Sequence, residues 1–62
     1  MNCSNLIMYS LGEKVSLTDL KRKLGDDWKE AVDNGFFELI GNKDDEPIYV
    51  FTQKGKDAAW GK

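Results

Sequence analysis

Ile48-Tyr49-Val50-Phe51-Thr52-Gln53-Lys54-Gly55-Lys56-Asp57-Ala58-Ala59 decides the fold class. Four strand-forming residues run directly into Thr52, a hydroxyl residue placed to cap a helix that continues through Ala58, Ala59 and Trp60 toward Gly61. Upstream, Phe36-Phe37-Glu38-Leu39-Ile40 has the same strand character, and Gly41-Asn42-Lys43-Asp44-Asp45-Glu46-Pro47 between them breaks it. The pattern predicts a β-hairpin with a polar tip. Pro47, at the start of the returning strand, costs no ladder bond if its nitrogen faces the loop.

Helices are expected before the hairpin. Leu6, Ile7, Tyr9 and Leu11 suggest a short first helix over Ser4 to Leu11, and Gly12-Glu13-Lys14 reads as a turn after it. Ser16 is placed to cap a second helix, with Asp19 adding negative charge where the N-terminal dipole favours it. Leu17, Leu20 and Leu24 lie in one narrow arc at 100° per residue, and Gly25 offers an inexpensive left-handed stop. Asp27 followed by Glu30 repeats the capping pattern, so a third helix begins after a turn of two or three residues. Its apolar arc is Trp28, Ala31 and Val32, and Asn34-Gly35 ends it. That interhelical spacing is the spacing of a helix-turn-helix.

Sixty-two residues suffice for one domain, expected across 1–62. A chain of this size buries only about 60% of the surface its unfolded state exposes. The apolar run Leu6 to Leu11 is far shorter than the roughly 20 residues that cross a bilayer, and no basic leader or small-residue cleavage site accompanies it. The expectation is a cytoplasmic protein, monomer or homodimer, with no membrane partner. The chain has no histidine and a single cysteine, Cys3, read as a free thiol without a role. Neither a zinc site of the usual ligands nor a histidine-dependent triad can be assembled from that set. Paired carboxylates would need a deep pocket that a chain this short rarely forms, so the protein is expected to bind rather than catalyse, with no cofactor and no metal. Asn42, Asp44 and Glu46 alternate in the hairpin connection, yet the glycine and the distal glutamate of a calcium loop are missing.

Three stretches carry a resemblance to a known family. Val15-Ser16-Leu17-Thr18-Asp19-Leu20 looks like the family's entry into its second helix. Asp33-Asn34-Gly35-Phe36-Phe37-Glu38-Leu39 resembles its passage from recognition helix to first wing strand, and Phe51-Thr52-Gln53-Lys54-Gly55 its exit from the second wing strand. Together they resemble the winged-helix (winged helix-turn-helix) domain family, from about Leu6 to Ala59. The resemblance implies an α+β fold of three helices, a two-stranded β-hairpin wing and a short C-terminal helix. It also implies duplex DNA as partner and a role in transcription regulation, the third helix entering the major groove and the wing touching the backbone or minor groove. Lys29, Asn34 and Lys43 are the contact candidates that follow.

The charge pattern departs from that family's habit. From Asp26 to Glu46 there are eight acids (Asp26, Asp27, Glu30, Asp33, Glu38, Asp44, Asp45, Glu46) against two bases (Lys29, Lys43), a balance of −6, while the rest of the chain carries +4. Nucleic-acid affinity comes largely from Lys and Arg displacing counterions at phosphates, so an acidic reading surface opposes it. Lys21, Arg22 and Lys23 could meet phosphates at another docking angle, although three adjacent helical residues fan over roughly 200° and cannot all face one partner. Asn34 can make a bidentate adenine contact, or simply stop a helix. Trp28 reads as core more readily than as a base-stacking platform. The competing expectation is a protein-interaction module whose acidic surface, Glu30, Asp33, Asp44, Asp45 and Glu46, meets a basic protein and governs association rate. Those carboxylates could also imitate phosphates, and the acidic tip alone could serve only to blunt the hairpin edge.

Overall fold

A computed structural model describes residues 3–61; the side chain of Cys3 lies outside what is described. The fold is mixed α+β. A 3-10 helix (Cys3–Met8) leads to β1 (Lys14–Ser16), α1 (Leu17–Leu24), a 3-10 turn (Gly25–Asp27), α2 (Trp28–Asp33), β2 (Phe37–Lys43), β3 (Glu46–Phe51) and α3 (Gln53–Trp60). The three strands form one antiparallel sheet in the order β1-β3-β2.

Two expectations are corrected here. The first helix is a 3-10 helix that ends at Met8; Leu6 within it and Tyr9 just after it are buried, while Ile7, Met8 and Leu11 are about half exposed. Tighter winding brings positions three apart onto one line, and the Tyr9 N–H, donating to the Leu6 carbonyl at 3.1 Å, carries that spacing one residue past the helix end. The sheet is also not a two-stranded hairpin. Lys14, Val15 and Ser16, expected as turn and helix entry, pair with Val50, Tyr49 and Ile48. The ladder is extended where Gly12 N–H donates to the Phe51 carbonyl and Phe51 N–H to the Glu13 carbonyl, each at 3.0 Å.

The hairpin is longer and tighter than the sequence suggests. Its strands reach Lys43 and start again at Glu46, leaving Asp44 and Asp45 as a two-residue turn with φ of 53° and 65°. Two successive positive φ values mark the turn whose twist matches the flanking strands, and Asp is among the few side chains that tolerate them. Pro47 sits inside β3 opposite Asn42, beyond the three residues that β1 covers, where β3 has a strand on one side only. A register shift between Leu39 and Gly41 makes Ile40 the extra residue of a bulge.

Helix starts follow local chemistry in two cases and not in a third. Ser16 Oγ accepts from Asp19 N–H at 3.2 Å and Thr52 Oγ1 from Gly55 N–H at 3.1 Å, each satisfying an amide the helix leaves orphaned. Asp27 makes no side-chain cap; the 3-10 turn runs straight into α2, whose first amides need no separate starting residue. Gly25, at φ 61°, permits the reversal that keeps α1 and α2 only three residues apart.

The core joins every element except the 3-10 turn Gly25–Asp27. Leu6, Tyr9, Val15, Leu20, Leu24, Ala31, Phe36, Phe37, Tyr49 and Phe51 are buried, with Leu17, Trp28, Val32, Ala58 and Ala59 packed against them. Tyr9, Phe37 and Phe51 form an aromatic triangle with centroids 5.1 to 5.5 Å apart, the Tyr9–Phe37 pair edge-on. Such contacts add to simple burial and bind the residue that follows the 3-10 helix to the hairpin.

Thr52 is the joint of the C-terminal half. Its N–H donates to the Phe36 carbonyl at 2.9 Å and its hydroxyl to the Gly35 carbonyl at 2.6 Å, while the same oxygen caps α3. Gly55 completes the fit, because a Cβ there would lie 2.6 Å from the Phe51 ring and 2.8 Å from the Phe36 carbonyl oxygen. The Thr-x-x-Gly pattern is therefore a packing requirement as well as a cap.

Candidate nucleic-acid interface

The elbow between α1 and α2 gathers the chemistry of greatest interest. Lys21 from α1 and Lys29 from α2 place their ammonium groups 5.5 and 5.9 Å from the centroid of the Trp28 ring. Both distances are within cation–π range, which contributes about 0.5–1 kcal/mol at exposed sites. Lys21, Gly25, Asp26, Trp28 and Lys29 together line a cleft of about 400 Å³. Trp28 is half-buried: it packs against the core, as its reading as a core residue expects, and it also lines this cleft.

The remaining basic candidates do not converge there. Lys23 lies 5.5 Å from the Tyr9 ring, on another side of α1 from the lysine that meets Trp28. Lys21, Arg22 and Lys23 are all exposed, and the first and third are directed to different aromatic partners, as their fan around the helix requires. Asn34 is exposed and ends α2, its own N–H donating to the Glu30 carbonyl at 2.9 Å. Lys43 is exposed at the far end of β2, opposite Glu46 across the hairpin.

The acidic candidates divide similarly. Glu30, Asp33, Asp44 and Asp45 are exposed. Glu46 is not available to a partner in the same way, because its Oε2 accepts from the backbone N–H of Thr18 at 3.2 Å and from the Thr18 hydroxyl. A carboxylate from the hairpin thus serves the first turn of α1, where the helix dipole favours negative charge. It couples the hairpin to the helix pair. Sequence reasoning missed this contact, since nothing near position 46 points to a partner 28 residues away.

Among the described residues, one titratable group is strongly perturbed. Tyr9 is 4% exposed and its hydroxyl has no hydrogen-bond partner among the described residues. Burial, with smaller contributions from Glu13 and Asp19, pushes its pKa up to about 12. It lies in the aromatic triangle rather than in the elbow cleft and has the character of a stability element.

Among the described residues no group of three or more His, Cys, Asp or Glu side chains could hold a metal ion. No helix among them is long and apolar enough to cross a membrane. No family model, no curated protein and no solved structure matches the chain.

Proposed function

We propose that this chain is a small winged-helix domain that binds nucleic acid, duplex DNA in the first instance, and acts through binding rather than catalysis. The observation that carries the reading is the convergence of Lys21 and Lys29 on Trp28 across a three-residue turn. Two ammonium groups held beside one aromatic residue form a compact electropositive feature at the edge of the acidic stretch that starts at Asp26. Phosphate contacts from Lys21, Arg22 and Lys29 would set the position of the duplex, with Lys43 on the hairpin as an outlying contact. Lys23, directed to Tyr9, takes a smaller share, and Asn34 is the one base-reading candidate.

The order of elements supports the same reading. A helix pair joined by a short turn is followed at once by a hairpin, and the β1–β3 ladder, the Glu46–Thr18 bonds and Thr52 fasten hairpin to helices. A rigid relation between a helix pair and a flanking hairpin is what two-point docking on a duplex requires. The involvement of Glu46 with Thr18 also removes one carboxylate from the acidic surface.

A second reading keeps the fold and assigns a basic protein surface as partner. It is favoured by the exposure of Glu30, Asp33, Asp44 and Asp45. Electrostatic complementarity of that kind acts mainly on association rate. Fluorescence anisotropy against a labelled duplex separates the two: the first reading expects salt-sensitive binding weakened by Lys21→Glu, and the second expects no binding even at low salt.

A further inference from the structure

The elbow cleft has features that phosphate binding alone does not explain. A site for a bare anion would present donors and little else, whereas this one is lined by the aromatic Trp28 and the acidic Asp26 beside the two lysines. A carboxylate there opposes a lone phosphate but can accept from the exocyclic amino group of a nucleobase. The volume of about 400 Å³ is at the low end of the roughly 300–1,000 Å³ typical of small-ligand clefts, the scale of one nucleotide rather than of a helix or strand.

We infer that the cleft receives one unpaired nucleobase, stacked on Trp28, with Lys21 and Lys29 moving from the indole to the flanking phosphates. The inference rests on the nucleic-acid reading and refines it: the preferred ligand is a duplex with an adjoining single-stranded segment or exposed end. Indole supplies the largest stacking surface of any side chain, and stacking tolerates every base because every base has a π-face. The lysines lie close enough to the ring to exchange one partner for the other without a backbone change. In the free protein they shield the indole. In the complex they neutralise the phosphates on either side of the stacked base.

The test uses the Trp60→Phe protein, in which Trp28 is the only tryptophan; Trp60 is 64% exposed, so its replacement leaves the core intact. Three ligands are titrated: a blunt duplex, the same duplex with a four-nucleotide overhang, and that duplex with an abasic overhang of equal length and charge. The expected result is quenching of Trp28 emission by the base-bearing overhang only, with affinity roughly 5- to 150-fold above that for the abasic ligand. Trp28→Phe should retain part of that advantage and Trp28→Leu none, each read as the ratio of base-bearing to abasic overhang affinity in a variant shown by circular dichroism to be folded. Equal affinity for the two overhangs, with no quenching, would overturn the stacking inference and leave duplex binding standing. Failure of all three ligands to bind at low salt would overturn both and turn attention to a protein partner.

Discussion

Gly55 offers the sharpest test of how the hairpin and α3 lock together. At an open helical position Gly→Ala is stabilising, by up to about 1 kcal/mol from helix propensity. Here the added Cβ would sit 2.6 Å from Phe51 Cε1, 2.8 Å from the Phe36 carbonyl oxygen and 3.1 Å from Phe36 Cβ. Two of those neighbours cannot yield easily: the oxygen is backbone already accepting from Thr52 N–H, and the Phe51 ring is 1% exposed. Relieving the overlap means displacing α3 from the hairpin by several tenths of an ångström, and overpacking of this kind typically costs about 1–3 kcal/mol. The clash outweighs propensity, and Gly55→Ala should lose about 2 kcal/mol. For a domain near 60 residues that is a fall in Tm of roughly 10–15 °C, read by thermal circular dichroism. Gly41→Ala is the control, because nothing lies within 4 Å of its Cβ position and its φ is not positive; it should be neutral or mildly stabilising. A Tm for Gly55→Ala equal to or above that of the parent would refute the packing argument.

Three further outcomes follow from the same structure. Tyr9→Phe removes a buried hydroxyl without a partner among the described residues and should leave stability unchanged or raised by about 1 kcal/mol. Because the folded-state pKa of Tyr9 lies above its unfolded value of 10.0, at about 12, stability is fully present below pH 10 and declines as pH rises toward 12; urea midpoints across that window should show less of this decline in Tyr9→Phe. Glu46→Ala should lose about 1 kcal/mol through the missing bonds to Thr18, whereas Asp44→Asn with Asp45→Gly should gain stability by suiting the left-handed turn better; equal melting temperatures for the three proteins would contradict this division of the hairpin acids. Leu20→Ala, at a fully buried position, should cost about 2–5 kcal/mol and half-buried Val32→Ala less, and chemical denaturation checks the order.

What could be read from the chain was what local chemistry decides. Ser16 and Thr52 cap helices because their partners lie three residues on, and the Leu20 and Leu24 arc is fixed by helical geometry. β1 was hidden because three residues show no alternation, and its pairing with Ile48 to Val50 is set by distant chain. The apolar pattern of Leu6 to Leu11 does not distinguish a 3-10 from an α-helix, and which of its residues are buried, Leu6 and Tyr9, is set by distant chain. The basic run could be seen to fan apart, yet its destination could not: Lys21 meets Trp28 only once the turn at Gly25 folds α2 back. Trp28 reads as core from its place at a helix start and does pack against the core, while its second role in the cleft lining depends on the fold. A second signal was present, since lysines on both sides of a tight turn bracket the same indole.

Duplex binding measured against salt tests the central claim most directly. With about four phosphate contacts, raising salt from about 50 mM to about 200 mM should weaken binding roughly 100-fold. Lys21→Glu combined with Lys29→Glu should abolish it while the circular dichroism spectrum and Tm stay close to those of the parent. Binding insensitive to salt, or a folded double variant that binds as the parent does, would contradict the account.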